Sequence, residues 1–294
     1  MAGKRSTRSL PTRKRVRCRN RGAGSLAPIR SAHLQVWSGR LFLWPGRALY
    51  IGPAADTTPH AHHAVQLCLG LDGPFRLRRI RGASWHQCHF ALIEADCTHQ
   101  LDGCGRQLAL LYLDPESEEG RAVGAIALTA GFCLLPTRNL FELREGFARC
   151  ADASASPHTA ARMADALVET IAPVERTRTV EPRVARFLQS LRRSSGLPMA
   201  AGDAARLVGL SSSRFQHLFR ESVGIPFRRY LLWLRLVAAV ERIASGCSLT
   251  EAAHDARFSY SAHLSRTFRR MFGLSPSALA RVSKFVQAAE KPLS

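Results

Sequence analysis

Hydrophobic and polar positions follow three regimes along the chain. Residues 1–31 are polar and Arg-rich with no apolar period, which predicts a basic, disordered arm. From about His33 to Asp114, short apolar runs alternate with Gly, Pro and Asp: LFLW (41–44), ALYI (48–51), AVQLCLGL (64–71), FRLRRI (75–80), HFALIEA (89–95) and QLALLYL (107–113). FRLRRI alternates apolar and polar residues at period two through Arg78, as a half-buried strand does. Six or more short strands separated by turn residues predict a sandwich or barrel. Beyond them the apolar step lengthens to three and four residues in NLFELREGFARC (139–150) and HTAARMADALVETIA (158–172), which predicts two helices. Pro173 and Pro182 bracket the charged link VERTRTVE, and everything after it reads as helix. The expected fold class is therefore α+β in two domains: a β-barrel or sandwich with following helices over 32–180, and an all-α domain over 181–294.

The helical third contains one pattern twice, DAARLVGLSSSRFQHLFRESVGIP (203–226) and EAAHDARFSYSAHLSRTFRRMFGLSP (251–276). Ala205 and Ala253 each precede a Ser, Ser211 and Ser259, by six residues. Phe219 and Phe268 follow, and Gly224 and Gly273 come five residues later. The offset is 48 residues at the Ala and 49 at the Phe, so the second copy carries one insertion. A small Ala lets two helices cross closely, Ser211 and Ser259 are expected to cap the next helix, and Gly suits the left-handed residue that ends it. Ser248 and Glu251 have capping-box spacing. Phe215, Leu218 and Phe219 form the inward face of one helix, and Leu264, Phe268 and Phe272 that of the other. The product is helix, tight turn, helix, made twice. Between the copies, Pro226 and Gly246 enclose 19 residues, a rod of about 28 Å at about 1.5 Å per residue. That approaches the ~34 Å repeat of B-DNA along one face.

Charge sharpens this picture. The 294 residues suit about two domains of roughly 100–200 residues each and carry a net charge of +20. Residues 1–31 hold ten basic and no acidic side chains, residues 32–181 hold 14 and 16, and residues 182–294 hold 18 and six. A near-neutral middle joined to a basic, patterned third implies a sensing domain tied to a polyanion binder. No run approaches the roughly 18 apolar residues of a membrane span, and no apolar stretch follows the basic N-terminus as in a signal peptide. The expected location is cytoplasmic. Eight scattered cysteines without a C-x-x-C pair argue against a disulfide framework or a zinc finger, and buried inert thiols are expected.

At these residues the chain resembles a known family. Residues 183–281 look like the DNA-binding domain of AraC-type transcription regulators, in which two helix-turn-helix units are joined by a long helix. The matching stretches are DAARLVGLSSSRFQHLFRESVG, the linker around Tyr230 to Arg242, and SLTEAAHDARFSYSAHLSRTFRRMFGLSP. Arg257 stands where the family usually has Gly in the turn, which implies an altered or strained backbone there. Leu279 and Ala280 replace a common Tyr-Arg pair, removing an expected phosphate contact.

A recognition helix presents its outward N-terminal side chains to base edges. With the aromatic face turned inward, the first copy leaves Ser212, Ser213, Gln216 and His217 outside, and the second leaves Ser261, Ala262, Ser265 and Arg266. Gln can bond adenine bidentately and Arg can take guanine O6 and N7. Matching the family's pattern selects the same surface. Arg220, Arg269 and Arg270 are expected on phosphates, adding affinity and salt dependence without sequence choice.

In the middle domain, PHAHHAVQLCLGLDG places His60 and His62 two apart, on one face of an expected strand. Gln66 follows, then Gly73, and His99 lies on a later strand. The spacing H-x-H-x3-Q-x6-G with a distant His resembles the cupin motif, in which the Gln position is normally Glu and these side chains bind metal. AraC-type regulators often have such a cupin-like arm, so the two resemblances agree. Gln is a weak neutral ligand, and Glu94 and Asp96 stand where the second cupin motif has Pro and Gly. His60, His62, Gln66 and His99 are accordingly candidates for a small-molecule effector pocket, with no metal or cofactor assigned, while His63 points away and Trp85 is expected in the core.

The leading expectation is a non-enzymatic, sequence-specific DNA-binding transcription regulator whose β-barrel arm senses a small molecule or metal. Its partners would be double-stranded DNA, a small-molecule effector, and a second copy joined through the N-terminal domain, where helices 139–150 and 158–172 are interface candidates. The alternative is a metal-dependent cupin enzyme with an accessory nucleic-acid-binding tail, resting on His60, His62 and His99. A non-specific architectural DNA binder is weakened by the ordered cap chemistry. No nucleophile–base pair or Gly-rich phosphate loop offers another route to catalysis.

Overall fold

The computed structural model describes residues 38–79, 84–126, 132–134, 140–172, 181–193, 199–277 and 284–287. The expected arm over 1–31, most of the link VERTRTVE, and Leu279 and Ala280 lie outside these.

The N-terminal half begins with β1 (Arg40–Trp44), β2 (Arg47–Pro53), β3 (Val65–Gly70), β4 (Phe75–Arg78), β5 (His86–Cys88), β6 (Phe90–Ile93), β7 (Gln100–Asp102) and β8 (Gln107–Leu113). The helix α1 (Glu118–Gly124), the strand β9 (Phe132–Leu134) and the helices α2 (Phe141–Cys150) and α3 (Pro157–Ile171) follow. Period two decides which side chain faces where. In β1, Phe42 and Trp44 join the core under the helices, while Leu41 and Leu43 face the space between the sheets. In β3, Val65, Leu67 and Leu69 do the former, whereas Cys68 lies on the latter face. Phe75 and Leu77 of β4 are buried between exposed or half-exposed arginines, as FRLRRI foretold. The described strands form a seven-stranded sheet, in which a C-terminal strand, β10 (Lys284–Gln287), leads the order β10-β1-β2-β8-β3-β6-β9, and a three-stranded sheet, β5-β4-β7.

Two buried arginines fasten the helices to this scaffold. Arg40 donates to the carbonyls of Cys150, at 3.0 Å, and Ala155, at 2.8 Å, and to that of Asp152, fixing the α2–α3 turn. Arg47 bonds Glu119 of α1 at 3.1 Å and Asp165 of α3 at 2.6 Å. A buried guanidinium satisfied by several oxygens is held in one geometry.

The C-terminal half is helical: α4 (Pro182–Arg193), α5 (Ala201–Leu207), α6 (Ser212–Val223), α7 (Phe227–Ala244), α8 (Leu249–Asp255) and α9 (Ser261–Phe272). Its core centres on Phe187, Phe215, Phe219, Phe227 and Tyr230, whose successive ring centroids lie 5.1–5.9 Å apart. A final strand, β10 (Lys284–Gln287), returns to the first half and pairs in parallel with β1.

The halves share an apolar and ionic seam. Ala64 and Tyr112 of the β domain join the helical core, and Val240 and Leu274 pack against the inter-sheet core. His63, expected to be uninvolved, lies buried at this seam. It bridges Asp96 at 2.9 Å and Glu116 at 2.8 Å, and its ring meets Tyr230 and Trp233 of α7 edge-on. Burial alone would push its pKa down, but the hydrogen bonds and charges of Asp96 and Glu116 outweigh this and lift it to about 9. Asp96 also approaches Arg229 of α7 at 3.5 Å. Replacing His63→Leu leaves two carboxylates facing each other without the cation between them. The full chain should lose about 3 kcal/mol of stability, read as a lower urea midpoint.

Candidate nucleic-acid interface and the histidine cluster behind it

The duplicated pattern folds into two closely matched units. In the first, Ser211 Oγ accepts from the Arg214 amide at 3.3 Å, and Gly224 ends α6 at φ 90°. The turn before α6 is closed by the Leu210 amide donating to Ala205 O, with Gly209 at φ 69°. In the second, the Phe258 amide donates to Ala253 O, and Arg257 takes φ 58°. Arg257 thus occupies the left-handed position that glycine fills in the first unit. The capping box of α8 forms between Ser248 and Glu251 as expected.

One expectation is corrected. Ser259 does not cap α9; the N-cap is Tyr260, at φ −168° and ψ 164°, with no side-chain cap bond. The single insertion of the second copy falls here, stretching the turn by one extended residue so that the helix starts at Ser261.

Phe215, Phe219 and Val223 are buried on α6, and Ser212, Ser213, Gln216, His217 and Arg220 are exposed. His217 lies 3.9 Å from Glu221 one turn on. On α9, Leu264, Thr267, Phe268 and Met271 are buried, whereas Ala262, Arg266, Arg269 and Arg270 are exposed. Ser261 and Ser265 are half-buried in a groove that Leu249, Thr250, Ala262, Arg266 and Arg269 also line. Arg266 donates to Tyr260 Oη at 2.9 Å and stands 5.5 Å from the centre of that ring. Tyr260 and Thr250 were absent from the sequence-derived surface. For Tyr260 the signal was the one-residue insertion.

His60, His62, Gln66 and His99 come together, though not on paired strands. Thr58 sends its amide to Gly273 O, and Pro59 has no donor, so the ladder shrinks to one His60–His99 bridge. All three histidines are buried, and their ligand atoms lie within 4.8 Å of one another. Each Nδ1 faces a main-chain carbonyl: Thr58 O at 2.8 Å for His60, Ala64 O at 3.1 Å for His62 and Cys97 O at 2.9 Å for His99. Burial, reinforced for His60 and His99 by the neighbouring imidazoles, lowers all three pKa values, that of His60 to about 3. The rings are therefore neutral at physiological pH.

The cluster sits against the second unit. Phe272 of α9 stacks on His62 at 6.0 Å and meets Tyr112 edge-on. Gly273 O accepts from the Thr58 amide at 2.8 Å and hydroxyl at 3.0 Å. Asp96 takes φ 61°, the left-handed geometry for which Gly is the easier residue. Trp85 departs from its core expectation: it is half-buried, 5.4 Å from the guanidinium of Arg76 and 4.4 Å from that of Arg78.

A sandwich of strands followed by two helix-turn-helix units makes a two-domain architecture. Residues 204–281 match the model of a helix-turn-helix domain. The HTH-type transcriptional regulator GlxA of Rhizobium meliloti (strain 1021) is 32% identical over 124 residues, which cover 40% of this chain and 38% of that protein. ToxT of Vibrio cholerae O395 superposes with a TM-score of 0.53 at 11% identity, over 80% of this chain and 97% of ToxT. Wild-type ToxT of strain SCE256, bound to an unsaturated fatty acid, gives 0.53 at 10% identity, over 81% and 95%. The chain thus carries a helix-turn-helix domain on an α+β fold like that of ToxT. Among the described residues, no helix is long and apolar enough to cross a membrane.

The Arg257 turn yields a direct test. A left-handed backbone costs a side-chain-bearing residue roughly 1–2 kcal/mol, partly offset by the entropy glycine loses on folding. Arg257→Gly should stabilise the chain by about 0.5–1 kcal/mol in urea unfolding. An unchanged or lower midpoint would show that the arginine side chain compensates its own strain.

Proposed function

We propose that the chain is a sequence-specific transcription regulator: a reader over 181–294 inserts α6 and α9 into successive major grooves, and the β domain over 32–180 senses a ligand. The observation that carries this is the pair of helices with buried aromatic faces and exposed polar faces, separated by the 18-residue α7. Such a helix is about 27 Å long, against ~34 Å between grooves on one face of DNA. On this reading Gln216, His217, Ser265 and Arg266 meet bases, assisted by Ser212, Ser213, Ser261 and Ala262, while Arg220, Arg269 and Arg270 hold phosphates. Tyr260 pre-sets the direction of the Arg266 guanidinium, which lowers the entropy lost on contact.

Sensing by the β domain is supported by the placement of the histidine cluster under α9, and by the fatty acid bound in ToxT, a protein of the same fold. A ligand shifts the arrangement only if it binds one state better. The enzyme alternative fits less well, because the three histidines are buried beneath Phe272 and Gly273, leaving a substrate no evident approach. A homodimer through the β domain, with α2 and α3 as its interface, remains part of the proposal.

Selection of full-length protein on random DNA should yield two conserved blocks about one helical turn apart. With that site, Arg266→Ala should cost about 1–3 kcal/mol and relax preference at one base pair. Arg269→Ala should weaken all sequences alike and reduce the salt slope by about one. Equal competition by scrambled DNA would overturn the specific reading.

A further inference from the structure

We propose that Tyr260 is a second base-reading residue of α9. Its phenol oxygen accepts from Arg266 and donates to the keto oxygen of a neighbouring base, so the pair selects a guanine beside another keto base, guanine or thymine. This rests on the proposed entry of α9 into the major groove and says what that helix chooses there.

The position that Tyr260 occupies is normally spent on the helix itself. Ser, Thr, Asp and Asn lead at the N-cap because a short side-chain oxygen can take an unpaired first-turn amide, as Ser211 does for Arg214 at the start of α6. Tyr260 makes no such bond. Its ring is carried outward instead, 6.0 Å from the ring of His263, which in turn lies 5.2 Å from that of the buried Phe258. The tyrosine is thereby held from behind while 55% of it stays exposed. The equivalent positions of the first unit hold Ser211 and His217, so a Tyr–Arg pair belongs to the second unit alone.

Hydrogen-bond chemistry decides what such a pair can read. Arg carries N–H donors and no acceptor, and a phenol has a single O–H. One Arg266 Nη2 hydrogen goes to Tyr260 Oη at 2.9 Å, which fills the acceptor side of that oxygen. Among the described residues nothing accepts the phenol's own hydrogen. A hydroxyl that accepts from a cation is polarised into a better donor. The pair therefore turns only donors outward.

Guanine is the base whose major-groove edge carries two acceptors and no donor, and thymine offers its O4. Adenine sets an amino group beside its single acceptor, and cytosine presents an amino group only. Spacing agrees with this chemistry. Oη and Nη2 stand 2.9 Å apart, close to the ~3.4 Å rise between successive bases of one strand. The guanidinium can thus take O6 and N7 of one guanine while the phenol meets the base stacked on it. A phosphate oxygen would also accept the phenol's hydrogen, but that contact is indifferent to sequence.

The test measures binding of the full chain to its selected site. Arg266→Ala marks the guanine by relaxing preference there, and the pairs on either side are then varied through every base. The unaltered chain should favour guanine or thymine over cytosine at one of these neighbours by on the order of fivefold, the worth of one hydrogen bond, with adenine between. Exchanging thymine for 5-methylcytosine there swaps O4 for an amino group, keeps the methyl, and should cost the same factor. Tyr260→Phe keeps the ring and loses the hydroxyl. It should abolish the preference at the neighbouring pair and retain that for guanine, with the urea midpoint unchanged. The 5-methylcytosine comparison needs no variant and holds however Tyr260→Phe folds. Uniform weakening of every sequence by Tyr260→Phe would mean a phosphate contact. A loss confined to the guanine pair would mean that the phenol only steadies Arg266. Either result overturns the inference, as does indifference of the unaltered chain at both neighbours, while a chain that still prefers its site keeps the regulator reading intact. A chain that binds scrambled DNA as well as the selected site would sink both.

Discussion

The arrangement of the two halves depends on how closely the backbone after α9 approaches the 57–60 segment. A Cβ built on Gly273 would lie 2.4 Å from Thr58 O, 2.6 Å from His60 Nδ1 and 2.8 Å from Thr57 Cβ. Glycine serves two ends there: it ends α9 at φ 71° and lets main chain touch main chain. Both donors of Thr58 converge on the same carbonyl oxygen, so sliding the helix end away would break two hydrogen bonds at once.

The matching glycine of the first unit shows how special this is. Gly224 ends α6 in the same left-handed geometry, but nothing lies within 4 Å of the Cβ it lacks. The duplicated sequence therefore makes two units that are locally equivalent and globally distinct. One is anchored through α4 and the aromatic cluster within the helical half. The other leans directly on the β domain, through Phe272, Gly273 and the histidines.

Much of this could be read along the chain, for identifiable reasons. Strands β1, β2, β3, β4, β6 and β8 and helices α2, α3 and α7 announce themselves because burial on one face imposes a period, and period survives in sequence. The turn glycines and the capping box are legible because their chemistry is local. The three-residue strands β5 and β7 are too short for a period and are defined by their partners. Helix α1 is similarly brief. The assembly of His60, His62 and Gln66 with His99 was suggested by the resemblance to the cupin motif. The role of His63 was not, because Asp96, Glu116 and Tyr230 reach it from three distant stretches of chain. Tyr260 was overlooked as a cap because Ser259 looked better by composition, whereas the extra residue places the helix start one position later.

The parallel pairing of β10 with β1 closes the architecture in a way that neither domain does alone. The polypeptide leaves the β sheet, builds the helical half, and returns to the same sheet, so the helical half is a loop with both feet on one platform. Such a body pivots rather than drifts, and its swing is bounded by two attachments instead of one. On the proposed sensing role, a ligand held by the sheet would tilt the helical half rather than release it as a tethered module.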